Sequence, residues 1–395
     1  MKRTVKISAI AGGSAVILGA ATVAAVALSH SSGASAASGT ASSVNSSAAR
    51  ARLTDATCSG PAGAAYVADA GWDGFTAINT ANCAVITTYN VGDGYTPGFP
   101  DDQSYDSTAE TIAVHGSTLY FADTGNSRVS VIDTTTLDPK DYNPAETDIN
   151  VGMFPEALAV TPDGSQLWVA NTGPRTSPSE PTSVSVIATA TNKVIATLPL
   201  KGAPSQVAFS PDGSRAYVVT ANGLFTYSVR SRHVICETTG LGDPRSAAVA
   251  PGGRSVYVTD TQDNAIKVVS TSSGRVTATI RVGLLPWADV VSADGRTLYV
   301  ANPDSDQVSV ISTARNKVAK EIPVTGDPDT LALTADGSQL WVGQKTLAYV
   351  DVIDTATGTE VSDLNLAGTG TGNLNYADGY GPTGIALLPV PAPGS

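Results

Sequence analysis

Seven positions in the sequence carry side chains that could form one ligand site if the fold brings them together. Six directly follow a proline and the seventh follows an alanine, and each stands just before a short apolar run. They are Glu110, Glu156, Ser205, Arg245, Trp287, Asp329 and Thr383. Three carboxylates, one guanidinium and one indole facing a common point could hold a cation or stack a sugar-like ring on the indole. Divergence among repeats that face water is the simpler explanation, and the sequence leaves both open.

Asp289 is an eighth candidate, because it interrupts the apolar pattern that follows these positions. The equivalent place in other repeats holds an aliphatic residue, as at Leu158, Val207, Leu331 and Ile385. A buried carboxylate without a partner is costly. We therefore expect Asp289 either to face water or to have a partner, with Arg245 of the preceding repeat as the candidate.

Short strands in a sevenfold repeat must position these residues. A Tyr or Trp followed by Val or Phe recurs every 40 to 54 residues. A turn such as Ser210-Pro211-Asp212-Gly213 precedes most of these aromatic anchors, where Gly supplies a positive φ and Asp caps its own turn. Four short apolar runs per unit are typical of a β-propeller blade, which buries both faces only against its neighbours. The anchors are Tyr66, Tyr120, Trp168, Tyr217, Tyr257, Tyr299 and Trp341.

The stretch from Tyr299 to Gly326 (YVANPDSDQVSVISTARNKVAKEIPVTG) closely resembles the consensus of the YVTN β-propeller repeat family. This family occurs in exported bacterial propellers and archaeal surface-layer proteins, and the resemblance covers about residues 64–389. It implies that the innermost strands begin around the mouth of the central channel, so the seven candidate side chains would meet there. It specifies no function, because propellers host many unrelated activities.

We therefore predict an all-β fold, a seven-bladed β-propeller of four-stranded antiparallel blades over residues 58–390. The chain begins at the second strand of a blade, residues 64–68, and ends with an additional innermost strand, residues 384–388. These two strands should pair and close the ring, which removes open sheet edges.

The ends of the chain lie outside the repeat. Basic residues within the first six positions precede the apolar stretch Ile7–Leu28 and small residues at 34–36, so residues 1–36 are predicted to be a signal peptide. Residues 37–57 are predicted to form a flexible Ser/Ala-rich leader and residues 391–395 a short tail. We expect a secreted, extracellular protein with no membrane span after cleavage, and an uncleaved N-terminal membrane anchor is the alternative.

Three cysteines in an exported chain suggest one disulfide and one free thiol. Cys58 precedes the first strand, and Cys83 falls in the turn between the third and fourth strands of the same blade. Both positions should lie on one face of the disc, so a Cys58–Cys83 disulfide is expected, with three free thiols as the alternative. Cys236 lies in a predicted strand and is expected to be a free, buried, small hydrophobic residue.

The net charge of −12 disfavours nucleic acid or anionic lipid as a partner, since phosphate binding needs a basic face. The three histidines, His30, His115 and His233, lie outside the register of the ring, so neither a zinc or haem site nor a Ser-His-Asp triad is predicted. Loops such as Asn302–Asp306 can bind Ca²⁺, but none has the twelve-residue calcium loop with its closing Glu, and turn capping is the expected role. No catalytic residue, metal ligand or cofactor is predicted.

These features favour a monomeric, non-catalytic binding or scaffold protein of the cell exterior, with an unknown small molecule or protein bound at the channel-mouth face. The alternative is a lactonase-like or metal-dependent hydrolase with a carboxylate site at the central channel. In that case Glu110 or Glu156, near Arg245, would act as acid or base. No lactonase motif is present to support it.

Overall fold

The structure, a computed structural model, describes residues 63–69, 74–91, 111–136, 148–173, 182–346, 348–366 and 381–389. All of them belong to one structural unit, residues 53–395. These residues form seven four-stranded antiparallel sheets, and their single helical element is a 3-10 turn at Pro303–Ser305. The predicted seven-bladed, all-β propeller is therefore confirmed.

The blades are numbered here by the order of their second strands. Blade 1 contains β1 (Gly63–Asp69), β2 (Gly74–Asn79), β3 (Val85–Asn90) and the last strand β28 (Pro382–Pro389). Blade 2 contains β4 (Ile112–His115), β5 (Thr118–Asp123), β6 (Arg128–Asp133) and β7 (Ile149–Asn150). Blade 3 contains β8 (Pro155–Val160), β9 (Gln166–Asn171), β10 (Ser183–Ala188) and β11 (Lys193–Pro199).

The remaining blades follow the same order from the innermost to the outermost strand. Blade 4 contains β12 (Pro204–Phe209), β13 (Arg215–Thr220), β14 (Gly223–Ser228) and β15 (Val234–Thr238). Blade 5 contains β16 (Pro244–Val249), β17 (Ser255–Asp260), β18 (Ala265–Ser270) and β19 (Arg275–Arg281). Blade 6 contains β20 (Asp289–Val291), β21 (Thr297–Asn302), β22 (Gln307–Ser312) and β23 (Lys317–Pro323). Blade 7 contains β24 (Pro328–Leu333), β25 (Gln339–Gln344), β26 (Tyr349–Asp354) and β27 (Thr359–Asn365).

The ring closes as expected from the two ends of the repeat. The innermost strands contact one another in the order β28, β4, β8, β12, β16, β20, β24 and back to β28. The closing pair is antiparallel, with Ala64 opposite Leu388 and Ala68 opposite Gly384. Blade 1 is thus built from both ends of the described chain, and β28 covers the edge that β1 would otherwise leave unpaired.

The turns between the first and second strands are held by the aspartates that the sequence analysis assigned to them. Asp212 accepts hydrogen bonds from the Ser214 amide at 3.0 Å and from the Ser210 hydroxyl at 2.5 Å, and Gly213 has a φ of +67°. The Ser210 hydrogen bond is the main reason that the pKa of Asp212 falls to about 2. Asp163 shows the same arrangement in blade 3. The predicted self-capping turn is confirmed.

The aromatic anchors of the second strands join neighbouring blades. The Trp168 indole in blade 3 lies edge-on to Tyr227 in blade 4, with ring centroids 5.9 Å apart. Burial raises the pKa of the Tyr257 hydroxyl in blade 5, and its interaction with Thr313 in blade 6 acts in the opposite direction; Thr313 itself donates to the Gly295 carbonyl at 2.6 Å. Because each hydrophobic cluster combines two blades, as Trp168 does with blade 4, a single blade could not bury its own faces.

Predictions about the ends and the cysteines are only partly covered by the described residues. The signal, the leader, the tail and Cys58 lie outside them, so the Cys58–Cys83 disulfide stays a prediction. Cys236 is free, as predicted. It is half-buried rather than buried, because β15 is the outermost strand of blade 4. Across the described part of the chain, no helix has the length and apolar character needed to span a membrane.

Candidate binding site at the channel mouth

The prolines that mark the candidate positions begin the innermost strands. Five of these strands start at a buried proline, which suits a first position that need not donate to the ladder. They begin at Pro155, Pro204, Pro244, Pro328 and Pro382. The next residue of each strand is half-buried, so these side chains share one level of the ring. We call this end of the disc the channel-mouth face; the turns between second and third strands lie at the same end.

Blade 6 departs from this pattern at Trp287. Its innermost strand is short and begins at Asp289, and the Trp287 amide donates to the Ala301 carbonyl at 2.9 Å before the regular ladder starts. Pro286 is buried and Trp287 is half-buried. Because the regular strand begins only after Trp287, the large indole lies at the channel-mouth face rather than inside a blade.

Two cations lie over the Trp287 indole. The Arg245 guanidinium carbon of blade 5 is 5.0 Å from the ring centroid, and the Lys345 Nζ of blade 7 is 5.8 Å from it. Asp243 pairs with the Arg245 Nη2 at 3.0 Å, and the Ser205 hydroxyl donates to the Arg245 carbonyl at 2.7 Å. These five residues, which we call the Trp287 cluster, connect blades 4, 5, 6 and 7.

The Trp287 cluster is suited to binding rather than to holding the ring together. The side chains of Arg245 and Asp243 are each 40 % exposed, and an exposed ion pair of this kind contributes only about 0–1 kcal/mol to stability. The Arg245 Nε is shielded from solvent and has no hydrogen-bond partner. Two cations, one carboxylate and an indole can stack a planar or sugar-like ring and donate hydrogen bonds to its oxygen atoms.

The remaining carboxylates of the predicted ring do not join this cluster among the described contacts. Glu156 accepts a hydrogen bond from the Thr172 hydroxyl of its own blade at 3.1 Å. Asp329 and Thr383 occupy the second positions of β24 and β28 and are half-buried. Glu110 lies outside the described residues. Within the described ranges, no three His, Cys, Asp or Glu side chains are grouped so that they could hold a metal ion.

Asp289 has partners in the preceding blade, and they differ from the one expected. Its carboxylate accepts a hydrogen bond from the Ser246 hydroxyl at 2.5 Å and one from the Ala248 amide at 3.2 Å, whereas Arg245 pairs with Asp243. Asp289 therefore links β20 to β16, where no backbone ladder joins the two blades. Burial raises the pKa of Asp289 to about 7, although both hydrogen bonds act in the opposite direction.

The Asp-rich turns at the same face are occupied by hydrogen bonds and ion pairs of their own. Asp123 accepts from the Asn126 amide at 3.1 Å and from the Arg128 Nε at 2.7 Å. Asp260, in blade 5, lies 3.2 Å from the Lys267 Nζ. Asp123 caps its own turn, the role expected for these loops, whereas Asn302 makes no side-chain capping hydrogen bond to the turn that follows it.

Sequence reasoning did not find Lys345, Asp243 or Ser246. Lys345 directly follows β25 and so lies in a turn between second and third strands, at the same face as the candidate ring. The position was therefore readable from the strand order. Its approach to the indole of the neighbouring blade was not, because that depends on how far Trp287 stands out from β20.

The protein is a seven-bladed β-propeller, and its channel-mouth face carries a polar and aromatic surface. A family model for the choice-of-anchor I domain matches residues 62–306, more than half of the chain, and the chain belongs to this family. The YVTN resemblance remains an interpretation of the repeat.

Two solved structures share the fold. The Kuenenia stuttgartiensis hydrazine synthase is 23 % identical with a TM-score of 0.55, and the match covers 65 % of this chain and 80 % of that one. A functionally unknown protein from Desulfotomaculum acetoxidans DSM 771 is 17 % identical with a TM-score of 0.65, covering 82 % and 98 %. At these identities the likeness concerns the fold alone. A search of curated proteins finds no match.

Proposed function

We propose that this chain is an exported, monomeric binding or scaffold protein of the cell exterior, and that it holds its ligand or partner at the channel-mouth face through the Trp287 cluster. The observation that carries the proposal is the half-buried indole with the Arg245 and Lys345 cations beside it. A large aromatic side chain kept near solvent, with charged donors around it, is a common feature of binding surfaces.

The proposed location rests on two further observations. The first 28 residues combine a basic start with an apolar stretch, as export signals do. The name of the matched family, the choice-of-anchor I domain, points to a surface or secreted protein. The acidic composition disfavours nucleic acid as the partner.

The chemistry of the cluster indicates which groups its ligand should carry. Arg245 and Lys345 supply N–H donors, so oxygen acceptors such as hydroxyl, carbonyl or carboxylate groups fit best. The indole adds an apolar face on which a sugar or another ring can stack. Polysaccharide and surface protein of the cell envelope present both kinds of group.

The experiment is a sedimentation assay with purified protein that lacks residues 1–36. The protein is mixed with cell-wall polysaccharide, or separately with surface-protein extract, from the producing strain, and saturable binding is measured. Trp287→Ala should weaken binding at least roughly tenfold, as expected for a central aromatic residue. Ile195→Ala is the matched control, because Ile195 is a large side chain, 43 % exposed, on the outermost strand of blade 3.

Equal binding by both variants, or no saturable binding to either material, would contradict the proposal. Nothing among the described residues supports the hydrolase alternative, and one assay separates the two. If the wild-type protein turned over lactones and lost this activity on Glu156→Gln, the non-catalytic proposal would have to be abandoned.

A further inference from the structure

Two exposed apolar side chains lie at the channel-mouth face, apart from the others. Among the described residues, the other large apolar side chains that are exposed belong to the outermost strands of the blades. Met153 and Leu284, 41 % and 52 % exposed, lie instead in the segments that lead into the innermost strands of blades 3 and 6. A single exposed apolar side chain needs no explanation, so its surroundings decide what it can do.

The segment of blade 6 is longer than that of three other blades, and its backbone is strained. In blades 4, 5 and 7 a glycine with positive φ stands two positions before the proline, as Gly202 does before Pro204. In blade 6 one more residue is present, and Leu285, directly before Pro286, has a φ of +55°. Leucine is disfavoured there because of its Cβ atom and because of the proline that follows. Strain of this kind persists where the surroundings hold it, commonly at functional sites.

Neighbouring turns hold this segment in place. The Leu284 amide donates to the Ser305 Oγ at 2.7 Å, and the Leu285 amide donates to the Asn264 Oδ1 at 2.8 Å. Ser305 belongs to the 3-10 turn of blade 6, and Asn264 lies in the turn between β17 and β18 of blade 5. Because its backbone is fixed from two blades, Leu284 is presented to solvent in a preorganised segment, three residues before Trp287.

The positive charges around Trp287 outnumber the negative ones in the cluster. Lys345 is half-buried, and its Nζ makes no ion pair or hydrogen bond to any described residue. The Arg245 Nη2 pairs with Asp243, while its Nε lacks a partner. The Asp243 carboxylate also accepts a hydrogen bond from the Thr261 hydroxyl at 2.7 Å, which holds it within blade 5. Two cations thus share one carboxylate, and a second carboxylate from a bound molecule would balance them.

We propose that Leu284 and the Trp287 cluster form a docking site for a peptide segment of a partner protein, in which a carboxylate lies close to a large apolar side chain. The docking site rests on the proposed function, with protein rather than polysaccharide as its occupant. The carboxylate binds Lys345 and Arg245, and the apolar side chain packs on Leu284 and the indole. A sugar could use the cations and the indole, but its hydroxyl groups gain nothing from an exposed leucine, whereas an apolar side chain does.

The test selects binders to the purified protein from random heptapeptides displayed on phage. Enriched peptides should carry Asp or Glu close to a large apolar residue. One such peptide is synthesised with a fluorescent label, together with a matched form in which the acidic residue is replaced by its amide. Fluorescence anisotropy should show that the amide form binds about tenfold more weakly, as expected for the loss of one charge-assisted hydrogen bond.

Variants of the protein locate the peptide on the disc. Leu284→Asn should weaken binding of the acidic peptide about tenfold. Lys345→Gln should reduce the difference between the acidic and amide forms, because the peptide carboxylate then loses one of its two cations. Met153→Gln is the matched control and should bind as the wild-type protein does. Met153 is exposed in the equivalent segment of blade 3, where Glu156 takes the place of Trp287.

Several results would overturn the proposal. The enriched peptides could lack acidic residues, the amide form could bind as tightly as the acidic one, or Leu284→Asn and Met153→Gln could have equal effects. It is also overturned if no peptide is enriched while cell-wall polysaccharide binds saturably in the sedimentation assay, and in that case the proposed binding function still stands. Absence of binding to peptides, polysaccharide and surface protein alike contradicts the proposed function as well.

Discussion

Replacing Asp289 by asparagine should change the pH dependence of stability in a direction set by its burial. The unfolded carboxyl ionises near its ordinary pKa of 3.8, whereas the folded one holds its proton to about pH 7. Between these values the unfolded chain binds fewer protons than the folded one, so the stability of the wild-type protein falls as the pH rises. Above the pKa of the folded Asp289 carboxyl, its contribution to the free energy of unfolding no longer changes with pH.

The size of the effect follows from the shift. A carboxyl pKa raised from 3.8 to about 7 corresponds to about 4 kcal/mol over the full range, of which about 3 kcal/mol falls between about pH 5 and about pH 8. A carboxamide cannot ionise in this range, so Asp289→Asn loses this slope. The amide has one acceptor oxygen for two donors, the Ser246 hydroxyl and the Ala248 amide, so the variant starts about 1–2 kcal/mol less stable at the acidic end.

Guanidinium unfolding at about pH 5 and about pH 8, followed by tryptophan fluorescence, measures the free energy of unfolding of the wild-type protein and of Asp289→Asn at each pH. Between these two pH values, the free energy of unfolding of Asp289→Asn should rise by about 3 kcal/mol relative to that of the wild-type protein. Asp294→Asn is the matched control. The Ser292 hydrogen bond lowers the pKa of Asp294, so its contribution is lost only at acidic pH and stays constant across this window. A change below about 1 kcal/mol for Asp289→Asn would show that burial does not hold the proton of Asp289 near neutral pH.

Three further predictions concern the closure and the joints of the ring. Peptide mapping without reductant should find Cys58 linked to Cys83, and the bridge should contribute about 3 kcal/mol to the free energy of unfolding; a bridge to Cys236 instead would contradict this. Truncation after Gly381 removes β28, so the protein should aggregate on purification, and a soluble truncation of equal thermal stability would show that closure by β28 is not needed. Tyr257→Phe should lower the free energy of unfolding by about 0.5–1.5 kcal/mol because it removes the interaction of this hydroxyl with Thr313 of the next blade. Chemical denaturation measures the difference, and an unchanged free energy of unfolding would show that the hydroxyl does not help to join blades 5 and 6.

The fold could be predicted from the sequence because the aromatic anchors, the turns and the apolar runs all indicate the same repeated four-stranded blade. The Tyr257 anchor, the Asp212 turn and the apolar runs recur with one spacing, and the closing pair follows from counting strands at the two ends. A repeat that cannot bury its faces alone must stack on its neighbours. This explains why the number of blades and the closing register of β1 and β28 were predicted correctly.

The site could be predicted only in part, since its contacts cross between blades. The shared register of Glu156, Ser205 and Arg245 follows from the proline that begins each strand. The approach of Lys345 to Trp287 does not, because it depends on the irregular start of blade 6. Asp289 was recognised as an exception, but its partner was not, because Ser246 and Arg245 are adjacent in sequence and point to different neighbours.

The most direct test of binding at the channel mouth is an experimental density map of the protein recovered from the outside of its own cells without refolding. We expect density for a bound molecule in contact with the Trp287 indole and within hydrogen-bonding distance of Arg245 or Lys345. A map in which only solvent covers Trp287, while a bound molecule lies elsewhere on the disc, would contradict this expectation.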